Sequence, residues 1–203
     1  MVDVPLIDKK GDVRVNAGIS MLQLHGTVSV GITNKFAIQT FIGRSGENGH
    51  YAQEAIGYYK DLGNKKVIEI YSGFGFGYAD AYYDPNPGSL FGHYKLYFTQ
   101  FNFGKVDCDF AHADVGFALK AGLLHSNLTD NNYYSRNIIP PDSHGTYVDN
   151  CFLIEPQVFA RLGGEHVKLN IQIGATGLKK LTNKDKWMPN YPVNFGLGLN
   201  CRF

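Results

Sequence analysis

The sequence predicts an all-β fold: a single up-and-down antiparallel transmembrane β-barrel of about ten strands, with eight as the alternative count, around a polar, plugged lumen. Three observations predict it. The last eleven residues, Val193 to Phe203, alternate strictly, with apolar residues at odd positions and Gly, Asn or Arg at even ones, the mark of a strand with two unlike faces. Apart from the short turn after the first strand, the connections sort by parity, short after even-numbered strands and longer after odd-numbered ones, as outer-membrane barrels require. The charged residues fall on one face of the strands and almost never on the other.

The bulk composition agrees. At 203 residues the chain fits one domain. Charged residues are 18% and aromatics 14%, with 24 glycines; a soluble domain usually carries roughly 25% charge. A net charge of +1 leaves no basic footprint for nucleic acid. Apolar runs are only a few residues long, so no helix spans a bilayer. The mean hydropathy of -0.20 fits spanning strands, which need only about ten alternating residues. Met1-Val2-Asp3-Val4-Pro5 lacks a charged and then apolar leader. A barrel of this kind must be exported, so the chain reads as a mature or truncated form with an added Met1. Three cysteines make no complete disulfide framework.

Residues 1–12 read as an extended lead-in and 13–203 as the barrel domain. Val13, Val15, Ala17 and Ile19 alternate as a first strand. Leu22, Leu24, Val28, Val30 and Ile32 form a second in the opposite phase, so a turn is expected near Met21. Phe36 to Gly43 is the third strand, Arg44 to His50 a loop, and Tyr51 to Lys60 the fourth. A tight turn at 61–65 leads to the fifth, Val67 to Tyr78. A long loop, Asp80 to Gly92, precedes the sixth, His93 to Phe103, and Gly104 to Asp109 connects to the seventh, His112 to Leu124. The longest loop is His125 to Asn150. The eighth strand, Cys151 to Leu162, contains Pro156, which a bulge would reconcile with the ladder. Val167 to Thr176 is the ninth, and 177–192 loops to the last. This order puts Cys108 on the short-turn side and Cys151 on the long-loop side, too far apart for a disulfide.

One face of these strands is Val, Leu, Ile, Phe and Ala. The other holds Arg14, Glu69, Asp114, Lys120, Glu155, Arg161, Lys168 and Arg202 among Gly, Asn, Gln and Thr. A soluble lipocalin-like barrel would fill its interior with the apolar set. The mixed-sign polar face suits a narrow lumen with a compensated ion-pair network. Ten strands are too few for an open porin channel, which needs about sixteen.

The lead-in Val4-Pro5-Leu6-Ile7-Asp8-Lys9-Lys10-Gly11-Asp12, the stretches Gly57-Tyr58-Tyr59, Glu69 to Gly77 and Tyr97-Phe98-Thr99-Gln100, and the terminal Phe203 resemble the small outer-membrane β-barrel proteins of Bacteroidetes. The resemblance covers most of the chain and implies an outer-membrane location with long loops outside and termini in the periplasm. It also implies that Phe203 is the signal read by barrel-assembly machinery, and an acylated cysteine ahead of this opening. Its motifs are framework motifs and bring no catalytic signature.

Chemistry is sparse. The seven histidines show no metal-ligand spacing, and no cofactor is expected. The rim candidates for a hydrolase are Asp80, Asp84, His93, His125, Ser126, Asp142, His144 and Asp149, with His125, Ser126 and Asp142 as the catalytic set. Gly73-x-Gly75-x-Gly77 matches a strand face rather than a nucleotide loop and should let Tyr71, or a long Arg or Lys, pack over it. Tyr82, Tyr83, Tyr133, Tyr134 and Trp187 are candidates for girdle or loop packing and for a surface that binds a glycan or protein partner. The expected function is therefore a non-catalytic outer-membrane scaffold for surface loops, alone or accompanying a larger complex. A rim hydrolase and a soluble periplasmic barrel binding an apolar ligand are the alternatives.

Overall fold

A computed structural model describes residues 2–20, 23–45, 48–82, 89–109, 112–130, 145–183 and 192–203. Its strands are β1 (Val13–Ser20), β2 (Gln23–Gly31), β3 (Phe36–Ser45), β4 (Gly49–Asp61), β5 (Lys66–Tyr82), β6 (Ser89–Cys108), β7 (Ala113–Asp130), β8 (Gly145–Gly163), β9 (Val167–Ala175), β10 (Gly177–Lys180) and β11 (Val193–Arg202). Each pairs antiparallel with its chain neighbour from β1 to β9, and β11 inserts between β9 and β1. The sheet therefore closes on itself through β11, and among the described residues β10 pairs with β8 alone.

Eleven strand segments make ten staves, because β10 continues β9 along the same neighbour. Gln157 faces Gly174 and Ile154 faces Gly177, so the spacing is equal on both strands. Pro156 lies between these pairs, and its missing N–H interrupts the ladder without a register shift. The bulge expected at Pro156 is absent: β7 also runs past it in constant register, with Leu119 opposite Pro156. The register shift among these pairings lies elsewhere, between Lys105 and Cys108 on β6. The phase switch near Met21 is a hairpin, with Ser20 opposite Gln23.

Several segments expected to be loops are strand. β5 to β8 run 17, 20, 18 and 19 residues, so Asp80, 89–92, 125–130 and 145–150 all belong to ladders, as do 104–108 and 177–180. Backbone pairing continues there after the apolar alternation has ended, because a ladder is made by backbone groups and does not need an apolar face. Cys108, Cys151 and Cys201 are all free.

The two faces are inverted relative to a soluble barrel. Leu24, Ile56, Phe76, Tyr97, Leu123 and Val158 point outward with more than half of their surface exposed, whereas Arg14, Glu69, Asp114 and Arg161 are almost completely buried inside. Val193, Phe195, Leu197 and Leu199 of β11 face out; Asn194, Gly196, Gly198, Asn200 and Arg202 line the interior. What fills that interior is residues 2–12. Val2, Val4, Leu6 and Ile7 are each at most 1% exposed. Val2, Val4 and Leu6 pack with Val67, Val106, Ala118 and Phe159, and Ile7 with Tyr59, Tyr71, Leu96, Phe98 and Leu153. The core of the molecule is the lead-in against the wall of β3 to β8.

Candidate functional site in the lumen

The lumen is organised by charges reaching the lead-in from every side. Alternation directs Arg14 inward from β1 and Arg202 inward from β11, and antiparallel register sets them directly opposite each other at the closing seam. Two like charges in that position repel. Asp12 resolves the conflict: its carboxylate accepts from Arg14 Nε at 3.0 Å and from Arg202 Nε at 3.1 Å. Asp8 accepts two further bonds from Arg202 Nη2, at 2.7 and 2.6 Å. Asp114 of β7 takes Lys168 Nζ at 2.5 Å and lies 3.9 Å from Arg14 Nη1.

Higher in the barrel, the backbone of the lead-in is held by side chains. Glu69 accepts the N–H groups of Leu6 (3.3 Å) and Ile7 (2.7 Å), and also Asn102 Nδ2 at 2.8 Å. Arg161 donates to the carbonyls of Val4 and Pro5, and Arg14 to that of Leu6. Gln100 and Gln39 both donate to the Asp3 carbonyl, and Gln157 bonds both backbone groups of Val2. The Asp3 carboxylate accepts from Asn16 and lies 3.9 Å from Arg161.

Lys120 closes the region next to Asp3. Its ammonium donates to Gln53 at 2.5 Å and sits 4.1 Å above the Phe98 ring. The space left between Asp3, Gln39, Gln53, Phe98, Gln100 and Lys120 is about 10 Å³, room for about one water molecule. Glu155 is 7% exposed and accepts from Thr176 at 3.1 Å.

The lead-in carboxylates Asp3, Asp8 and Asp12 were missed in the sequence. The available signal was Val2, Val4 and Leu6 at alternate positions in the extended lead-in, together with acidic residues that balance the excess of basic side chains on the inner face.

The aromatic packing also differs from expectation. Tyr71 does not cover the glycines of its own strand; its ring lies over Gly57 of β4, so close that a Cβ there would fall 2.3 Å from Tyr71 Cδ1. Gly77 is covered by Tyr94 of β6 and Gly43 by Tyr51 of β4. Each glycine makes room for a ring from the adjoining strand.

His125 and Ser126 of the expected rim set are not brought together. His125 and Ser126 are consecutive residues of a strand and so project from opposite faces. His125 is outside, 2.8 Å from Asn150 Oδ1, while Ser126 is buried inside beside the Asp149 carbonyl. Asp149 is committed to Lys180 at 2.5 Å and Thr182 at 3.2 Å. Asp80 accepts from Asn48, and the His93 ring packs edge-on against Tyr78. Tyr82 lies at the end of β5, with its backbone opposite Ser89. Tyr83, Asp84, Tyr133, Tyr134, Asp142, His144 and Trp187 lie outside the described residues. Phe203 is exposed, and its backbone pairs with Val13 of β1.

Fold and site together define a closed ten-stave barrel, apolar outside and polar inside, whose bore is occupied by its own lead-in. No family model matches the chain, and no curated protein is similar to it, so the resemblance drawn from the lead-in and the strand motifs stands on those residues alone. Among solved structures the chain is similar to the KdgM porin, with a TM-score of 0.41 and 8% identity over 95% of this chain and 99% of that one. It is similar also to a KdgM porin in complex with disordered oligogalacturonate, with a TM-score of 0.41 and 10% identity over the same shares. So low a TM-score is a loose likeness of barrels and says nothing of what this one binds or passes.

Proposed function

We propose that this protein is an integral outer-membrane barrel that acts as a non-catalytic scaffold, displaying the loop-side ends of β5 to β8 to a partner protein or glycan, alone or beside a larger outer-membrane complex. The observation that carries the membrane reading is the inversion of its faces: a closed ring with apolar side chains outside and charges buried within has no stable place in water. A bilayer supplies the missing apolar solvent. A spanning strand needs about 9–11 residues, and β6 has 20. The excess length of β5 to β8 therefore stands as a wall beyond the lipid, on the side of the longer connections. The lumen at rest admits no solute, because the lead-in fills it.

In this reading the long connections are extracellular, both described ends face the periplasm, and Phe203 is the residue that assembly machinery engages. The test is cross-linking in intact outer membranes through photoreactive groups placed at Thr129 and Thr146, which face outward on the projecting wall. Capture of a discrete partner or glycan at these positions, and none at Val167 near the opposite end, supports the scaffold. Equal labelling at both ends, or a protein monodisperse without detergent, overturns it.

A further inference from the structure

We propose that the lead-in is a displaceable plug and that the lumen it vacates conducts small anions. Three independent features of the interior carry this.

The first is charge. Around the lead-in the wall turns Arg14, Lys120, Arg161, Lys168 and Arg202 inward, five cations, against the three carboxylates Glu69, Asp114 and Glu155. Asp149 and Lys180 form a neutral pair nearer the loop side. The wall alone is thus cationic, and Asp3, Asp8 and Asp12 of the lead-in supply the balancing charge. The part of the lead-in inside the bore is anionic, since its Lys9 and Lys10 lie exposed while Asp3 and Asp12 are buried and Asp8 half-buried, and the bore behind it is an anion site.

The second is polarity. Along β1, β2, β9 and β11 the atoms Asn16 Oδ1, Thr27 Oγ1, Ser29 Oγ, Asn170 Oδ1, Asn200 Nδ2 and both ring nitrogens of His25 have no hydrogen-bond partner among the described residues. Their side chains are 1–7% exposed, sealed from solvent in the filled lumen. Buried polar atoms are normally satisfied. A wall with this many orphans on four adjoining strands matches water better than it matches the segment now lying beside it. The apolar packing of the lead-in is against β3 to β8, on the other side.

The third is attachment. Residues 2–8 make no backbone–backbone hydrogen bond to any described residue; side chains alone hold them. Leu6 has φ of +56°, a left-handed conformation that a branched side chain rarely adopts. A segment held this way can leave without breaking the barrel ladder. It is tethered at Val13, on the short-turn side, so it withdraws in that direction. Its carboxylates couple that movement to voltage: a potential positive on the short-turn side pulls the plug out, and the opposite sign seats it.

The proposal rests on the membrane-spanning reading, which flotation of the protein with vesicles tests separately. The experiment is single-channel recording of the full chain in planar bilayers under a potassium chloride gradient, for the wild type and Asp8→Asn. Expected are bursts of opening at one voltage polarity and a reversal potential on the chloride side. The substitution removes the carboxylate charge and one of the two bonds to Arg202, and open time should rise at least about tenfold. Hydrogen exchange gives a readout independent of any variant: the amides of Leu6 and Ile7 should exchange far faster than those of Ala17 and Leu199 in the closing ladder. Silence at both polarities from inserted protein of both forms, a cation-selective current, or lead-in amides as protected as the ladder would each overturn the proposal.

Discussion

Asp12 is the carboxylate on which the closing seam depends, and removing it should be among the most damaging single changes on the inner face. Arg14 and Arg202 stand opposite each other in the pairing of the first strand with the last. Asp12 is completely buried and bonds both at 3.0 and 3.1 Å. In Asp12→Ala, Asp8 still holds Arg202, but Arg14 is left with the Leu6 carbonyl and with Asp114 at 3.9 Å, and the carboxylate between the two guanidinium groups is gone. A unit pair about 4 Å apart at an effective dielectric of 20 is worth about 4 kcal/mol. Breaking a buried pair from one side typically costs 3–5 kcal/mol. The expected loss is therefore about 3–5 kcal/mol, with Asp12→Asn losing less because the amide oxygen still accepts one bond. The assay is urea unfolding in lipid vesicles, followed by tryptophan emission and by the mobility difference between folded and unfolded barrel on electrophoresis. A double-mutant cycle with Arg202→Gln should recover more than 1 kcal/mol of coupling. A loss below about 1 kcal/mol for Asp12→Ala would refute the seam argument.

Three further outcomes follow from the same structure. Ile56→Arg places a charge on the outer face of β4, where Ile56 is 59% exposed; in lipid it should cost up to about 2–4 kcal/mol, whereas a water-facing site would tolerate it, and the same unfolding assay distinguishes them. Gly57→Ala forces a methyl group against the buried Tyr71 ring and should cost about 1–3 kcal/mol by overpacking, with recovery in a Tyr71→Leu background. At the short-turn rim, His112 Nδ1 bonds Asp107 at 2.6 Å and, with Lys65 nearby, holds its carboxyl below the usual range. Because the folded value is depressed, this contribution to stability is present above about pH 4, the ordinary aspartate range, and is lost as pH falls through the lower folded value. Carbon NMR should show the Asp107 titration moving upward in His112→Gln, and an unchanged midpoint would refute the assignment.

Alternation made the faces of the barrel legible from the sequence. In Val193–Phe203 every second side chain is apolar on the outer face, and the other set is small or polar because the bore is crowded. The same logic fails at the ends of β5 to β8. His125-Ser126-Asn127-Leu128-Thr129-Asp130 still alternates between outside and inside, but there the outer set, His125, Asn127 and Thr129, is polar while Leu128 lies inside, so hydropathy no longer marks the outer face although the ladder continues. Pro156 misled in the other direction: it has the composition of a bulge, yet a proline whose missing N–H falls at a gap in one ladder needs none. The adjacent His125 and Ser126 looked like a catalytic pair on a loop and are separated by the sheet once the segment is strand. Least legible was the lead-in, since its partners Gln157, Glu69, Arg161 and Arg202 lie far along the chain and nothing local announces them.

The pairing of β1 with β11 has a consequence for time as well as for stability. Arg14 and Arg202 are separated by nearly the whole chain, and joining them closes the longest loop in the molecule, so topology makes that step slow. Until β11 arrives, β1 and β9 are open edges able to pair with another chain. The lead-in shortens that exposure only if it is already seated, because Asp8 and Asp12 then wait beside β1 as a ready binding site for Arg202. Ring closure becomes a recognition event between an arriving strand and a site prepared by the first residues of the chain, and a strand without an arginine at that position would be passed over.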